Sequence, residues 1–182
     1  MLEEVGVAYA YKRVDLRKGE AQAPEFKRMY GGATVPVLRD GGLTLGESIA
    51  INFYLAEKHK PELMPSDLAL RAQVYQWSLW AITNVQPELL AVMFDAMRPA
   101  DQKDPSRVDA AKLRLEPQLA FLDKTLEGRE HLVGDAFSVA DVNVGSVMNI
   151  ARALGLLSGL PNASVWMERL VARPAFQRAA QP

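Results

Sequence analysis

The stretch at residues 34–48, TVPVLRDGGLTLGES, constrains this chain more than any other. Two apolar runs flank Asp40-Gly41-Gly42, and Asp-Gly between such runs is a strong hairpin signal. The spacing predicts two short antiparallel strands. Pro36 cannot donate a ladder hydrogen bond, so it belongs at a strand start or on an edge. Just beyond the second strand the pattern changes period. Ile49, Phe53 and Ala56 fall on one side of a helix with Ala50 and Tyr54 beside them, which predicts a helix over residues 47–58. A carboxylate and a hydroxyl, Glu47 and Ser48, therefore stand where strand gives way to helix.

Around this stretch the chain has two textures. Up to about residue 60, strand and helix signals alternate over short distances. Val7 to Leu16, rich in Val and Tyr, reads as a strand, and APEFKRMY reads as a short helix with Pro24 in its first turn. After the proline-punctuated stretch KPELMPSD, where Ser66 or Asp67 can cap the next helix, the pattern is helix after helix. Residues 67–97 carry a stripe of Leu70, Val74, Trp77 and Ala81, with a kink or break expected at Pro87. Leu115, Leu119 and Leu122 point inward from a helix over residues 107–126 that contains Pro117. Three more helices are expected, over 137–154, 160–172 and 173–180. The reading is an α/β domain at 1–60, a linker at 61–66 and an all-helical domain at 67–182.

Composition excludes several functions. The net charge of −1 argues against a nucleic-acid partner, and no apolar run is long enough to span a membrane. There is no cysteine, hence no disulfide, thiolate metal site or cysteine nucleophile, which fits a cytoplasmic location. His59 and His131 are far apart in sequence and read as surface residues, so no metal site is expected.

At Glu47-Ser48 two readings compete. One is ordinary capping. In the other, the helix start offers N–H groups and about half a positive charge to an anion. The Ser48 hydroxyl joins them, Gly46 lets another group come close, and Glu47 takes an ammonium, so the pair grips an α-amino acid group. Pro36 weights the second reading. If the Val35–Pro36 bond is cis, Val35 turns its N–H and C=O outward, where they can pair with an extended peptide. One hairpin then holds both the backbone and the amino-acid end of a short peptide. Farther on, Ser138 and Asp141 in GDAFSVADVNV have the spacing of a capping box, with Phe137 and Val142 as its hydrophobic staple.

TVPVL, the ES pair at a helix start, GDAFSVAD and RPAFQRA, in this order, resemble the cytosolic, bacterial-type glutathione S-transferase family. The resemblance implies a thioredoxin-like N-terminal domain, here truncated, followed by an all-α helical bundle. It implies glutathione as co-substrate, held by Thr34, Val35 and Pro36 at the cysteinyl part and by Glu47 and Ser48 at the γ-glutamyl end. Thr34 stands where many members have Lys or Gln, and MYGGA replaces a frequent Asn-Pro turn. The implied activity is conjugation of the glutathione thiolate to a hydrophobic electrophile, a detoxification reaction carried out by a cytoplasmic homodimer without a metal. Trp77, Trp80, Met93, Phe94 and Met97 are the candidates for the electrophile's pocket, with helix packing as the competing reading of that stripe.

Against the family pattern, about twenty residues, a strand and most of a helix, are expected ahead of Met1. The family's catalytic Ser, Tyr or Cys belongs to that segment, so the resemblance leaves the catalytic residue unassigned. Tyr9 and Tyr11 do not match its position. The expectation is a truncated form in which the strand at Val7 lacks its partner, and the alternative function is a non-catalytic binding or dimerisation module.

Overall fold

The computed structural model describes residues 1–181. Asp40-Gly41-Gly42 forms the expected hairpin. Strand β1 (Val37–Asp40) pairs antiparallel with β2 (Leu43–Gly46), Val37 opposite Gly46 and Asp40 opposite Leu43. Gly41 takes φ 58°, the left-handed value that the first position of a two-residue hairpin turn demands.

Among the described residues the sheet has no third strand. The strand expected at residues 7–16 does not form; that segment has no regular structure, and Tyr11 is 79% exposed. The reason is non-local. A strand's N–H and C=O groups need a ladder partner, and Val and Tyr content cannot replace one.

Three helices complete this first unit, which spans Met1–Glu62. They are α1 (Leu2–Val5), α2 (Pro24–Met29) and α3 (Ser48–His59). Pro24 sits in the first turn of α2, where its missing N–H costs nothing. Helix α3 packs on both strands and on α1. Its buried residues are Ile51, Leu55 and Ala56, whereas Ile49, Ala50, Phe53 and Tyr54 are half-buried. The expected inward face is thus rotated. Seven of its first nine residues are apolar, so periodicity alone does not choose a side; the hairpin does. Tyr54 donates to the Asp40 carboxylate at 2.9 Å, and Lys58 donates to both. Lys60 donates to the Glu4 carbonyl at 3.3 Å, tying the end of α3 to α1.

The second unit, Leu63–Pro182, is helical among its described residues. Asp67 caps α4 (Leu68–Trp80) by accepting the Leu70 N–H at 2.8 Å. Val74, Trp77 and Ala81 of the expected stripe are buried, and Leu70 is half-buried. The break expected near Pro87 is a π-turn at Ala81–Val85, after which α5 (Gln86–Ala96) begins. Pro87 has no N–H and crowds the carbonyl one turn back. The wider turn, closed by the Gln86 N–H on the Ala81 carbonyl, accommodates it.

Helix α6 (Pro105–Thr125) runs through Pro117 and buries Leu115, Leu119 and Leu122. Helix α7 (Val139–Ala153) lies at the centre, packed against α4, α5 and α8 (Pro161–Ala172); α9 (Pro174–Ala179) packs on α8. The capping box is present at the start of α7. Ser138 Oγ accepts the Ala140 N–H at 3.2 Å, and Asp141 accepts the Ser138 N–H at 2.9 Å. Asp141 does more than the box requires. Fully buried, its Oδ1 also accepts the Leu132 N–H and the Trp166 indole N–H, each at 3.0 Å. One carboxyl group thus ties the preceding loop, α7 and α8 together. Phe137 carries the Arg173 guanidinium 3.5 Å from its ring centroid and meets His131 edge-on at 6.3 Å. His131 is accordingly half-buried, while His59 is exposed.

Candidate functional site

The hairpin sets which candidates are neighbours along its ends. Val37 opposite Gly46 is the last pair of the ladder, so Thr34-Val35-Pro36 lead into it on one strand and Glu47-Ser48 lead out of it on the other. All five are exposed.

The Val35–Pro36 bond is cis. Val35 precedes β1 and is 40% exposed, and among the described residues its N–H and C=O have no partner. Across from it, the capping reading of Glu47-Ser48 fails. Glu47 occupies the N-cap of α3 but makes no side-chain cap, although its carbonyl accepts the Ile51 N–H at 3.0 Å. The first N–H groups of α3 are thus left for another acceptor.

Backbone strain gathers here too. Among the described residues the non-glycines with positive φ are Ala33, at 50°, and Glu47, at 64° with ψ 111°. Each conformation costs of order 1–3 kcal/mol and persists only where the surroundings enforce it. Gly46, the residue before Glu47, is buried beneath the Tyr30 phenol. The close approach that this glycine permits is thus used by Tyr30. No local pattern marks that contact, because it joins the end of α2 to the end of β2.

The chemistry of this end is set by its groups. An unpaired backbone pair at Val35 suits an extended peptide. The start of α3 suits a carboxylate, and the Glu47 carboxylate suits an ammonium. No three His, Cys, Asp or Glu side chains among the described residues are grouped to hold a metal.

In the second unit the five apolar candidates separate. Trp77 is buried, stacked on Phe121 with centroids 5.2 Å apart and edge-on to Trp80 at 5.0 Å. Trp80 donates its indole N–H to Gln118 Oε1 at 2.8 Å. Met93 is half-buried, while Phe94 and Met97 are 55% and 62% exposed at the end of α5. A polar cavity between α4 and residues 128–135, lined by Leu70, Gln73, Arg129 and His131 among others, involves none of the five. Among the described residues no helix is long and apolar enough to cross a membrane.

Comparison with known proteins places these features in a lineage. Residues 1–57 match the family pattern described as "Glutathione S-transferase, N-terminal domain", and residues 85–174 match "Glutathione S-transferase, C-terminal domain". Glutathione S-transferase 4 of Zea mays is 32% identical over 99% of this chain and 84% of its own length. Glutathione S-transferase theta-1 of Mus musculus is 33% identical over 91% of this chain and 73% of its own. Among solved structures, the theta class glutathione S-transferase of Xanthomonas axonopodis pv. citri with glutathione bound superposes with a TM-score of 0.89. It is 30% identical, with 100% of this chain and 88% of that one covered. Glutathione S-transferase-I bound with lactoylglutathione gives 0.85 at 31% identity, covering 98% and 89%. Family pattern, fold and sequence identity agree along the chain, which belongs to the glutathione S-transferase family.

Proposed function

We propose that this chain is a glutathione transferase that holds glutathione at the end of its hairpin and joins the thiolate sulfur to a hydrophobic electrophile. The observation that carries the reading is the open end of the hairpin, where the unpaired backbone of Val35 leads into β1 and the uncapped start of α3 follows β2. The cysteinyl part of glutathione pairs with the Val35 N–H and C=O, with Thr34 and Pro36 beside it. The γ-glutamyl carboxylate lies on the Ser48 N–H and hydroxyl, and the γ-glutamyl ammonium lies against Glu47. Relatives support this choice of ligand, two of them solved with glutathione or lactoylglutathione bound. In conjugation the thiol proton leaves to water, the sulfur attacks the electrophilic carbon, and the leaving group departs as the C–S bond forms.

Phe94 and Met97, exposed at the end of α5, are assigned to the apolar electrophile together with Met93, Trp80 and the Trp77 ring edge-on to it. A cytoplasmic location, a role in detoxification and assembly as a homodimer belong to the same reading. Leu68, Tyr75 and Leu79 supply the dimer with an exposed apolar stripe along α4.

Conjugation of glutathione to an activated chloronitrobenzene tests the reading. Turnover above the uncatalysed rate is expected, with Ser48→Ala raising the KM for glutathione about tenfold, the size of one hydrogen bond to a charged group. Glutathione binding without turnover would instead make the chain a binding module. No glutathione binding at all would sink the site.

A further inference from the structure

We propose that Tyr30 contacts the ligand, its phenol hydroxyl donating a hydrogen bond to the α-carboxylate of the γ-glutamyl group. This rests on the reading of the hairpin end as a glutathione site. Tyr30 terminates α2 in an extended conformation, φ −144° and ψ 108°, with its N–H on the Phe26 carbonyl at 2.8 Å. The chain then turns at once, the Ala33 N–H returning to the Tyr30 carbonyl at 3.2 Å. This is the MYGGA segment, whose departure from the family's turn has no explanation at the level of sequence.

The structure supplies one. The Tyr30 ring occupies space that two glycines leave open. A Cβ on Gly32 would lie 2.6 Å from its Cε1, and a Cβ on Gly46 would collide with the hydroxyl end of the ring. Both positions therefore exclude any side chain while the phenol is in place. Gly46 closes β2 and immediately precedes Glu47. The hydroxyl end of the ring therefore lies against the residue that joins the hairpin to Glu47 and Ser48. The two strained residues, Ala33 and Glu47, each lie next to one of the two glycines that flank the ring.

Packing alone does not account for a tyrosine here, because a phenylalanine would fill the same space. The hydroxyl has no hydrogen-bond partner among the described residues, although the side chain is half-buried, and tyrosine hydroxyls in such positions usually find one. Its neighbours indicate which ligand atom it suits. Glu47 is already an anion and takes the ammonium, so a cation at Tyr30 would pair with Glu47 and neutralise it. A neutral O–H adds a charge-assisted bond to a carboxylate without that competition.

Calorimetric titration of the whole chain tests this with two ligands, glutathione and its analogue carrying an amide at the γ-glutamyl α-carboxylate, and with two variants. Tyr30→Phe keeps the ring between the glycines, so its thermal midpoint should match that of the parent chain. It should weaken glutathione about tenfold and leave the amide analogue unchanged. Equal glutathione affinity in Tyr30→Phe and the parent would overturn the proposal, as would equal weakening of both ligands. Ser48→Ala separates the two levels. If it weakens glutathione while Tyr30→Phe does not, the role of Tyr30 falls and the site stands. If the parent chain does not bind glutathione, both fall together.

Discussion

The two units of this chain put their order in different places. In Leu63–Pro182 a continuous apolar core runs along α7, and buried polar groups are locked inside it. Asp141 accepts from Leu132, Ser138 and Trp166, and Asn143 donates to Ser78 at 2.9 Å. In Met1–Glu62 the buried apolar side chains are Ala21, Phe26, Ile51, Leu55 and Ala56, and the polar links Asp40–Tyr54–Lys58 lie near the surface. Both strained non-glycine residues and the unpaired backbone of Val35 are in this thinner unit. The contrast teaches how the chain divides its tasks. Unsatisfied donors and strained backbone sit where little core rests on them, while the unit built around α7 satisfies its buried groups internally.

Hydrogen exchange gives the largest expected difference. Residues 7–14 lack ladder bonds, so their amides should exchange close to unfolded-chain rates. Those in the middle of α7 should be protected about a thousandfold or more. Comparable protection at residues 7–14 in the isolated chain would reveal a pairing that breaks the comparison. Next in size is Asp141→Ala, which strands the Leu132 and Ser138 N–H groups and the Trp166 indole inside the second unit. Each lost partner costs about 1–3 kcal/mol, so denaturant unfolding should show a loss of about 3 kcal/mol or more. A loss below about 1 kcal/mol would mean that the carboxyl group does not organise the core. Ser138→Ala sharpens the same point on a smaller scale. It removes the cap and leaves Asp141 with its other partners, for about 1 kcal/mol.

What the sequence made legible was local. Asp40-Gly41-Gly42 specifies a hairpin from three consecutive residues, Asp67 caps the third residue beyond it, Pro87 acts on its own preceding turn, and Ser138 and Asp141 are three apart. Each is decided within one turn of chain, and each appears in the structure. The pairing of Val37 with Gly46 follows for the same reason, because a two-residue turn fixes the register. The failures are all non-local. Residues 7–16 have strand composition and no neighbour. Helix α3 is apolar on too many sides for periodicity to orient it, and Ile51 rather than Ile49 is buried. The two donors to Asp141 from outside the capping box come from nine residues before it and twenty-five after, and Tyr30 reaches Gly46 from the end of α2. Nor does local sequence show that the Trp77 ring stacks on Phe121, forty-four residues away.

Acid should act first on the thinner unit, through a modest effect. The Lys58 ammonium, and then the Tyr54 hydroxyl, bond the Asp40 carboxylate and hold its pKa below the usual range. A carboxylate depressed in the folded state contributes stability above its unfolded value, about 3.9 for Asp. That contribution is lost as pH falls through the lower folded value. Lys58 is raised by the same pair, so its share is intact below about 10.4 and is lost only as pH rises through its folded value. The pair therefore works unchanged from mildly acidic to mildly alkaline pH and fails first on the acid side. Asp40→Asn should lower the urea midpoint slightly at about pH 7, and the difference from the parent should shrink as pH falls below about 3.9 and vanish once it has passed the lower folded value. Lys58 is exposed and Asp40 half-buried, so salt should reduce the difference at neutral pH as well. A difference that does not shrink as the medium is made more acidic would assign the effect to packing around Tyr54. The hairpin and α3 would then be joined by shape, and the contrast with the buried, fully partnered Asp141 would narrow.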